Sequence, residues 1–274
     1  MPDYNETRFI QVSDIHLGSS DGDKRRNAGD AAWDTFMQHI EEDPPQLIIV
    51  AGDLVVSDPD DKSDQEYAKN KISAIPVPTI ILPGNHDVGD HAIRCGLPHE
   101  WHGKLVTDYR VSAWEELWGK SYWFKSFQNI SLIGLNSQVI GSGTYAEDEQ
   151  WQWLNEVALP FVNGKPIIVF SHEAFCHQPG VIMRDEWMSI PTQAAERYLS
   201  VFSKQNVLAL CAGHTHRYLQ WQSEGFRCIT SPSLVSSIPC RNDMTQPQGN
   251  PEAGWVEYTL SNDGFSVRLK TINS

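Results

Sequence analysis

The chain has no apolar run long enough to cross a membrane; the longest, such as Leu47–Ala51, have the length of a strand. A secretory signal is missing from its start, because Met1 to Arg8 is polar and acidic rather than basic and then apolar. No C-x-x-C pair occurs. The five cysteines (Cys95, Cys176, Cys211, Cys228 and Cys240) are odd in number and widely spaced, which argues against a zinc ribbon or a disulfide framework. These absences predict a reduced, cytoplasmic protein without stable membrane insertion. Positive charge is also scarce: 21 Lys and Arg stand against 35 Asp and Glu, for a formal net charge of -14. Such a surface repels a phosphate backbone, so a nucleic-acid polymer is not an expected partner.

What is present is enough for a sizeable core: 274 residues, 40% of them hydrophobic. No repeat or low-complexity linker divides the chain, so residues 1–274 are expected to form a single domain. The N-terminal half alternates strand and helix patterns. Arg8–Ser13 is a short apolar run. Trp33, Phe36, Met37 and Ile40 recur at helical spacing until Pro44-Pro45 ends that helix. Gln46–Ala51 reads as a strand covered on both faces, Gln65–Ala74 as a helix and Thr79–Leu82 as the next strand. This β-α-β-α-β series implies parallel strands. Residues 88–120 lose periodicity and read as loop and short helix. Tyr122–Phe127 and Ile130–Leu135 form a strand pair about a turn at Gln128-Asn129. Asp148–Val157 then reads as a helix, Pro166–Ser171 as a strand, Thr192–Lys204 as a helix and Val207–Ala212 as a strand. The tail is strand-rich, with Asn262-Asp263-Gly264 as a hairpin turn and Asp243–Glu252 as a surface loop.

Five polar clusters each follow a predicted strand: Asp14-Ile15-His16, Gly52-Asp53, Gly84-Asn85-His86-Asp87, Ser171-His172 and Gly213-His214-Thr215-His216. In α/β sheets ligands bind beyond the carboxyl ends of strands. Strand alternation would turn Asp14 and His16 to one side, able to grip one ion. Together the clusters offer carboxylate, amide and imidazole donors, which suit Mn, Fe or Zn rather than Ca. Seven donors exceed the needs of one zinc and suffice for two ions sharing a carboxylate.

This motif series resembles the calcineurin-like metallophosphoesterase superfamily, and the compact length is similar to its class III cyclic-nucleotide phosphodiesterases, bacterial glycerophosphodiesterases and phospholipase-C-like members. The resemblance implies an α/β fold, a four-layer αββα sandwich of two mixed β-sheets with helices outside. It also implies two divalent transition-metal ions (Mn, Fe or Zn). Asp14, His16 and His216 would bind the first, Asn85, His172 and His214 the second, and Asp53 both. His86 would be a catalytic residue beside the substrate, oriented by Asp87. The implied reaction is hydrolysis of a small or lipid-linked phosphodiester by a hydroxide shared between the ions. The alternative is a phosphomonoesterase using the same centre. Around it, Lys24, Arg25 and Arg26 stand near the expected mouth, and His177 and Arg184 follow the fourth motif. Residues 88–120 and 176–190 are expected to wall the pocket, with Trp101, Trp114, Trp118, Trp123 and Trp187 packing under the loops. Cys176 and Cys211 are expected to be buried thiols, and Trp151 and Leu154 core residues.

Overall fold

A computed structural model describes residues 7–18, 24–56, 59–91, 104–162, 164–180, 188–235, 248–261 and 264–273, with backbone alone for 24–28. The chain runs β1 (Thr7–Val12), α1 (Lys24–Glu42), β2 (Leu47–Ala51), α2 (Lys62–Ser73), β3 (Thr79–Leu82), α3 (Asn85–Val88), α4 (Asp108–Trp118), β4 (Trp123–Phe127), β5 (Ile130–Gly134), α5 (Tyr145–Trp153), α6 (Leu159–Val162), β6 (Ile167–Phe170), α7 (Thr192–Phe202), β7 (Val207–Ala212), β8 (Leu219–Ser223), β9 (Phe226–Thr230), β10 (Gly254–Ser261) and β11 (Gly264–Thr271).

Two mixed sheets result, one in the order β11-β10-β1-β2-β3 and one in the order β4-β5-β6-β7-β9-β8. The strands β1, β2 and β3 are parallel, as their helical crossovers require. In the second sheet β5, β6, β7 and β9 are parallel, and β4 and β8 are antiparallel edges. Strand alternation then explains the packing. Phe9, Leu47 and Ile49 face Leu132, Ile168, Phe170 and Ile229 across the space between the sheets. Ile10, Val12, Ile48 and Val50 point the other way, onto Trp33, Phe36, Ile40, Ala68, Ile72 and Trp114 of α1, α2 and α4. The outer face of the second sheet packs Ile133, Val169 and Leu210 against Leu154, Tyr198, Leu199 and Phe202. The layers are therefore helix, sheet, sheet, helix. Each large side chain buried there stabilises the fold by about 1.5–3 kcal/mol. The middle layer is aromatic at its centre: Phe9 stacks on Tyr258 at 4.7 Å and meets Phe170 edge-on at 6.2 Å.

The strands and α7 fall where periodicity places them, within a residue or two. Two helices differ. The helix expected over Asp148–Val157 begins earlier, capped by Thr144, whose Oγ1 accepts from the Glu147 N–H at 3.3 Å. It also continues beyond, because the turn Leu154–Ala158 widens and the Leu159 N–H reaches back to Leu154 O. The wide turn lies directly before Pro160, which has no N–H to give and whose ring crowds the preceding turn. The Gly84-Asn85-His86-Asp87 motif, placed only by the strand it follows, opens the short helix α3 with Gly84 as its N-cap. Trp114 is core at 3% exposure, Trp118 and Trp123 pack against core clusters, and Cys176 and Cys211 are buried free thiols. Trp101, Trp187, Cys95, Cys240 and the Asn262-Asp263 turn lie outside the described residues, although Ser261 and Gly264 pair across that hairpin.

Candidate metal centre

All five motifs stand just past the carboxyl ends of β1, β2, β3, β6 and β7, parallel strands of the two sheets, with β3 at the edge of its sheet. Their backbones are tied to each other. Asp14 N–H donates to Gly52 O at 3.0 Å, His16 N–H to Asp53 O at 3.1 Å and Gly213 N–H to His172 O at 2.9 Å. The expectation that Asp14 and His16 share a side through strand alternation is corrected here. β1 has ended, and both residues are left-handed, with φ of 54° and 46°. Asp53, His214 and His216 are left-handed too, at 52°, 65° and 53°. Among the described residues, the other non-glycine positions with positive φ are Gln128 and Glu224, in hairpin turns. Each left-handed residue stores roughly 1–3 kcal/mol of strain. The hydrogen bonds between motifs hold it, and the result is that side chains from separate strands converge on one point.

Their ligand atoms meet closely. Asp14, His16 and His216 bring donor atoms within 4.8 Å of one another, as do Asp53, His172 and His214. Asn85 joins the second group, its Oδ1 3.2 Å from His172 Nε2. Asp53 lies between the groups, with Oδ1 3.4 Å from His172 Nε2 and Oδ2 3.8 Å from His16 Nε2. His16 Nδ1 donates to Val55 O at 3.2 Å and His172 Nδ1 to Ala51 O at 2.9 Å, which turns both Nε2 atoms inward. Two such atoms, His16 Nε2 and His216 Nε2, face each other at 3.2 Å, and buried Asp14 Oδ1 accepts no hydrogen bond. Converging lone pairs and an orphaned carboxylate oxygen are what divalent ions would satisfy. The donor set of Asp, Asn and His fits a borderline transition metal.

Electrostatics agree. Burial alone would raise Asp14 and Asp53, yet the surrounding histidines outweigh it: His216 and His172 hold Asp14 low, and His172 and His86 hold Asp53 low. Burial and the His86 charge push His16 down to about 4. Burial would also lower His172, but Asp53 and Asp14 overcome it and raise His172 to about 10. Burial and the Asp53 charge raise Asp87 to about 7.

Close packing fixes the cluster. A Cβ on Gly213 would sit 1.8 Å from Ser13 Oγ and 2.7 Å from Asp14 Oδ2, so no larger residue fits there. Gly84 is equally confined, its would-be Cβ lying 2.2 Å from Asp53 Oδ1. The motif residues thus share one site, with two qualifications. Asp87 does not orient His86. Its carboxylate accepts from the backbone N–H groups of Gly84 at 2.7 Å, Leu54 at 3.0 Å and Val55 at 3.3 Å. Those three donors turn Asp87 into a brace between the β2 and β3 loops. His177 also stands apart, its ring bonded to Thr192 Oγ1 at 2.9 Å and Ser189 Oγ at 3.3 Å. Arg184 and the side chains of Lys24, Arg25 and Arg26 lie outside the described residues, as do 92–103 and 181–187 of the expected pocket walls.

Sequence reasoning missed Ser233, whose Oγ donates to Asp14 O at 2.9 Å, and a buried trio of His91, Gln138 and Glu173. Neither leaves a signal in sequence. Ser233 lies in an ordinary Ser-Pro-Ser stretch, and the trio is spread over three elements. Among the described residues no helix is long and apolar enough to cross a membrane.

Residues 7–218 match the calcineurin-like phosphoesterase family, and the chain belongs to it: it is a metallophosphoesterase, a hydrolase. The chain is 28% identical to a probable glycerophosphodiester phosphodiesterase (GpdQ) of Arcobacter nitrofigilis, over 96% of this chain and 92% of that one. It is 25% identical to a 3',5'-cyclic-nucleotide phosphodiesterase of Nostoc, over 82% and 77% of the two chains. A serine/threonine-protein phosphatase (CPPED1) of Danio rerio is 23% identical, over 82% and 75%. In structure the chain is similar to a dimetal phosphatase from Danio rerio, with a TM-score of 0.64 and 14% identity, covering 97% of this chain and 96% of that one.

Proposed function

We propose that this chain is a metal-dependent phosphodiesterase acting on a small or lipid-linked phosphodiester: a cyclic nucleotide, a glycerophosphodiester or a phospholipid. The observation that carries this reading is the near full-length similarity to a glycerophosphodiester phosphodiesterase, joined to the inward convergence of all seven motif ligands. Asp14, His16 and His216 would hold one ion, Asn85, His172 and His214 the other, and Asp53 both. Mn, Fe or Zn suits these donors. Bound there, two ions supply Lewis acidity toward a phosphoryl oxygen and activate water.

The chain's own residues do the rest. His86 is the most exposed histidine of the cluster, its side chain 38% exposed and its Nε2 4.0 Å from Asp53 Oδ2. At that edge it stands where it would meet a substrate and give a proton or hydrogen bond to the leaving oxygen. Its backbone N–H donates to Asp53 Oδ1 at 3.0 Å, so the carboxylate and the acid are held as a unit. Asp87 serves by position, keeping Gly84 and the β2 loop in register. The acidic chain gives little to a second negative charge on a monoester. The buried free thiols Cys176, Cys211 and Cys228 support a reduced, cytoplasmic setting.

The test is kcat/KM for bis(p-nitrophenyl) phosphate against p-nitrophenyl phosphate with Mn at pH 7–8. A tenfold preference for the diester, about 1.4 kcal/mol, is expected. A tenfold preference for the monoester would overturn the reading in favour of a phosphatase. Cyclic AMP, glycerophosphocholine and phosphatidylcholine then separate the diester classes.

A further inference from the structure

Beside the ligand cluster lies a buried histidine–carboxylate contact with no part in the scheme above. His91 Nε2 stands 2.8 Å from Glu173 Oε2, and the two side chains are 2% and 0% exposed. Gln138 Nε2 donates to the other oxygen, Glu173 Oε1, at 3.0 Å. The Glu173 backbone is gripped as well: its N–H donates to Ser137 Oγ at 3.0 Å, and its carbonyl accepts from Ser171 Oγ at 2.7 Å. A reciprocal amide contact lies behind these. Gln150 Oε1 accepts from Asn136 N–H at 2.7 Å and Gln150 Nε2 donates to Asn136 O at 3.1 Å, while Asn136 Oδ1 accepts from Gln138 N–H at 3.0 Å. A run of buried polar groups therefore extends from α5 to Glu173 and ends at His91.

Taking a carboxylate fully out of water costs several kcal/mol, and apolar groups of similar volume commonly stabilise such a place better than an ion pair does. A gain in stability is thus a poor explanation for this pair. Its placement offers another. Glu173 directly follows His172 in the chain, and His91 lies on the segment leaving α3, the helix that carries Asn85. Asn85 Oδ1 and His172 Nε2 are themselves 3.2 Å apart. The ring of His172 is already oriented by Ala51 O, so Glu173 acts on it through the main chain. His91–Glu173 thus closes a second tie between two segments whose only shared task on the metal side is to present an amide oxygen and an imidazole to one point.

We propose that the buried His91–Glu173 pair is a positioning device that sets the spacing of Asn85 and His172 for the ion they share with His214 and Asp53. This rests on the ligand assignment proposed above. The other half of the centre, Asp14, His16 and His216, follows β1 and β7, whereas His91 follows α3 and Glu173 follows β6. Breaking the tie therefore affects one ion and spares the other.

The experiment is calorimetric titration of chelator-stripped full-length protein with Mn, for the natural chain and for His91→Ala, with folding followed by circular dichroism. Two binding events are expected in the natural chain. His91→Ala weakens one of them by about 10–100-fold and leaves the other within about threefold, the scale on which supporting groups act on a metal. kcat returns toward the natural value once Mn is saturating. His91→Gln, long enough to keep a hydrogen bond to Glu173, recovers most of the lost affinity. If His91→Ala does not fold, Glu173→Gln, which removes the carboxylate charge facing His91, carries the same contrast between the two events. Equal weakening of both ions, or of neither, overturns the proposal. Fewer than two ions in the natural chain overturns the ligand assignment and the proposal with it. A preference for monoesters touches neither, because the readout contains no substrate.

Discussion

The backbone N–H of His214 donates to Oδ2 of Asp14 at 3.0 Å, across 200 residues of sequence. Asp14 thereby has two tasks: one oxygen staples the β7 loop to the β1 loop, and the other, 3.2 Å from His216 Nε2, faces the centre. The tasks are separable by substitution. Asp14→Asn keeps an acceptor for His214 and loses the charge, so it should fold like the natural chain and bind one Mn ion fewer. Asp14→Ala also strands a buried N–H, which costs about 1–3 kcal/mol more. Denaturant melts of the two metal-free variants check this, and equal stability would remove the staple from the account.

Asp53 is the carboxylate common to both halves. Its oxygens lie 3.4 Å from His172 Nε2 and 3.8 Å from His16 Nε2. Asp53→Ala should lower metal content more than any other single ligand change, because one loss removes a donor from each ion and the screening between them. Metal analysis after Mn loading decides it. Retention of one ion at natural affinity would show that Asp53 serves a single site.

For His86 the expectation is the opposite: full metal content and poor turnover. Loss of proton donation should cost His86→Ala roughly 10²-fold or more in kcat. The loss should shrink with a good leaving group such as p-nitrophenolate and grow with an alkoxide. A drop in metal content would make His86 a ligand, as its approach to Asp53 and His16 would permit.

Metal binding should release protons, and the direction follows from His172. Its pKa in the metal-free chain is raised to about 10 by Asp53 and Asp14 against the effect of burial. A histidine raised in this way is charged at pH 8, and the stability it contributes is present below its ordinary pKa and lost as pH climbs through 10. An ion needs the Nε2 lone pair and so expels that proton. His16, pushed down to about 4, is already neutral and gives none. Mn titration in weak buffer with an indicator dye should show about one proton released per chain at pH 8, fading above pH 10. Absence of release at pH 8 would contradict the charged state of His172.

The β-α-β-α-β half was legible because its strands are buried on both faces, which leaves continuous apolar runs such as Leu47–Ala51, whereas the sandwich of two sheets came from the resemblance. The ligands were legible for the complementary reason: Asp14, Asp53, His172 and His214 are costly groups placed where those runs stop. Local rules failed where the chain is held by something far away. Alternation could not foresee left-handed Asp14 and His16, because their conformation is set by Gly52 and Asp53. The partners of Asp87 are main-chain donors, Gly84 on its own loop and Leu54 and Val55 on the β2 loop, invisible in residue identities. The helix read over Asp148–Val157 runs on past Pro160, where Leu154, Ala158 and Val162 pack in the core of the second sheet.

The place of β1 between β2 and β10 has a consequence for how each copy of the chain is made. Phe9 pairs with Leu47 on one side and with Tyr258 on the other. A chain emerging from the ribosome supplies the first neighbour early and the second far later. Contacts of such separation form slowly, and an unpaired strand edge invites pairing with another chain. During synthesis, the strand that leads into Asp14 has one side open until the C-terminal hairpin arrives. A chain stopped at residue 218, where the family match ends, would carry every ligand of the cluster and still lack the strand that closes β1 and the ring that stacks on Phe9.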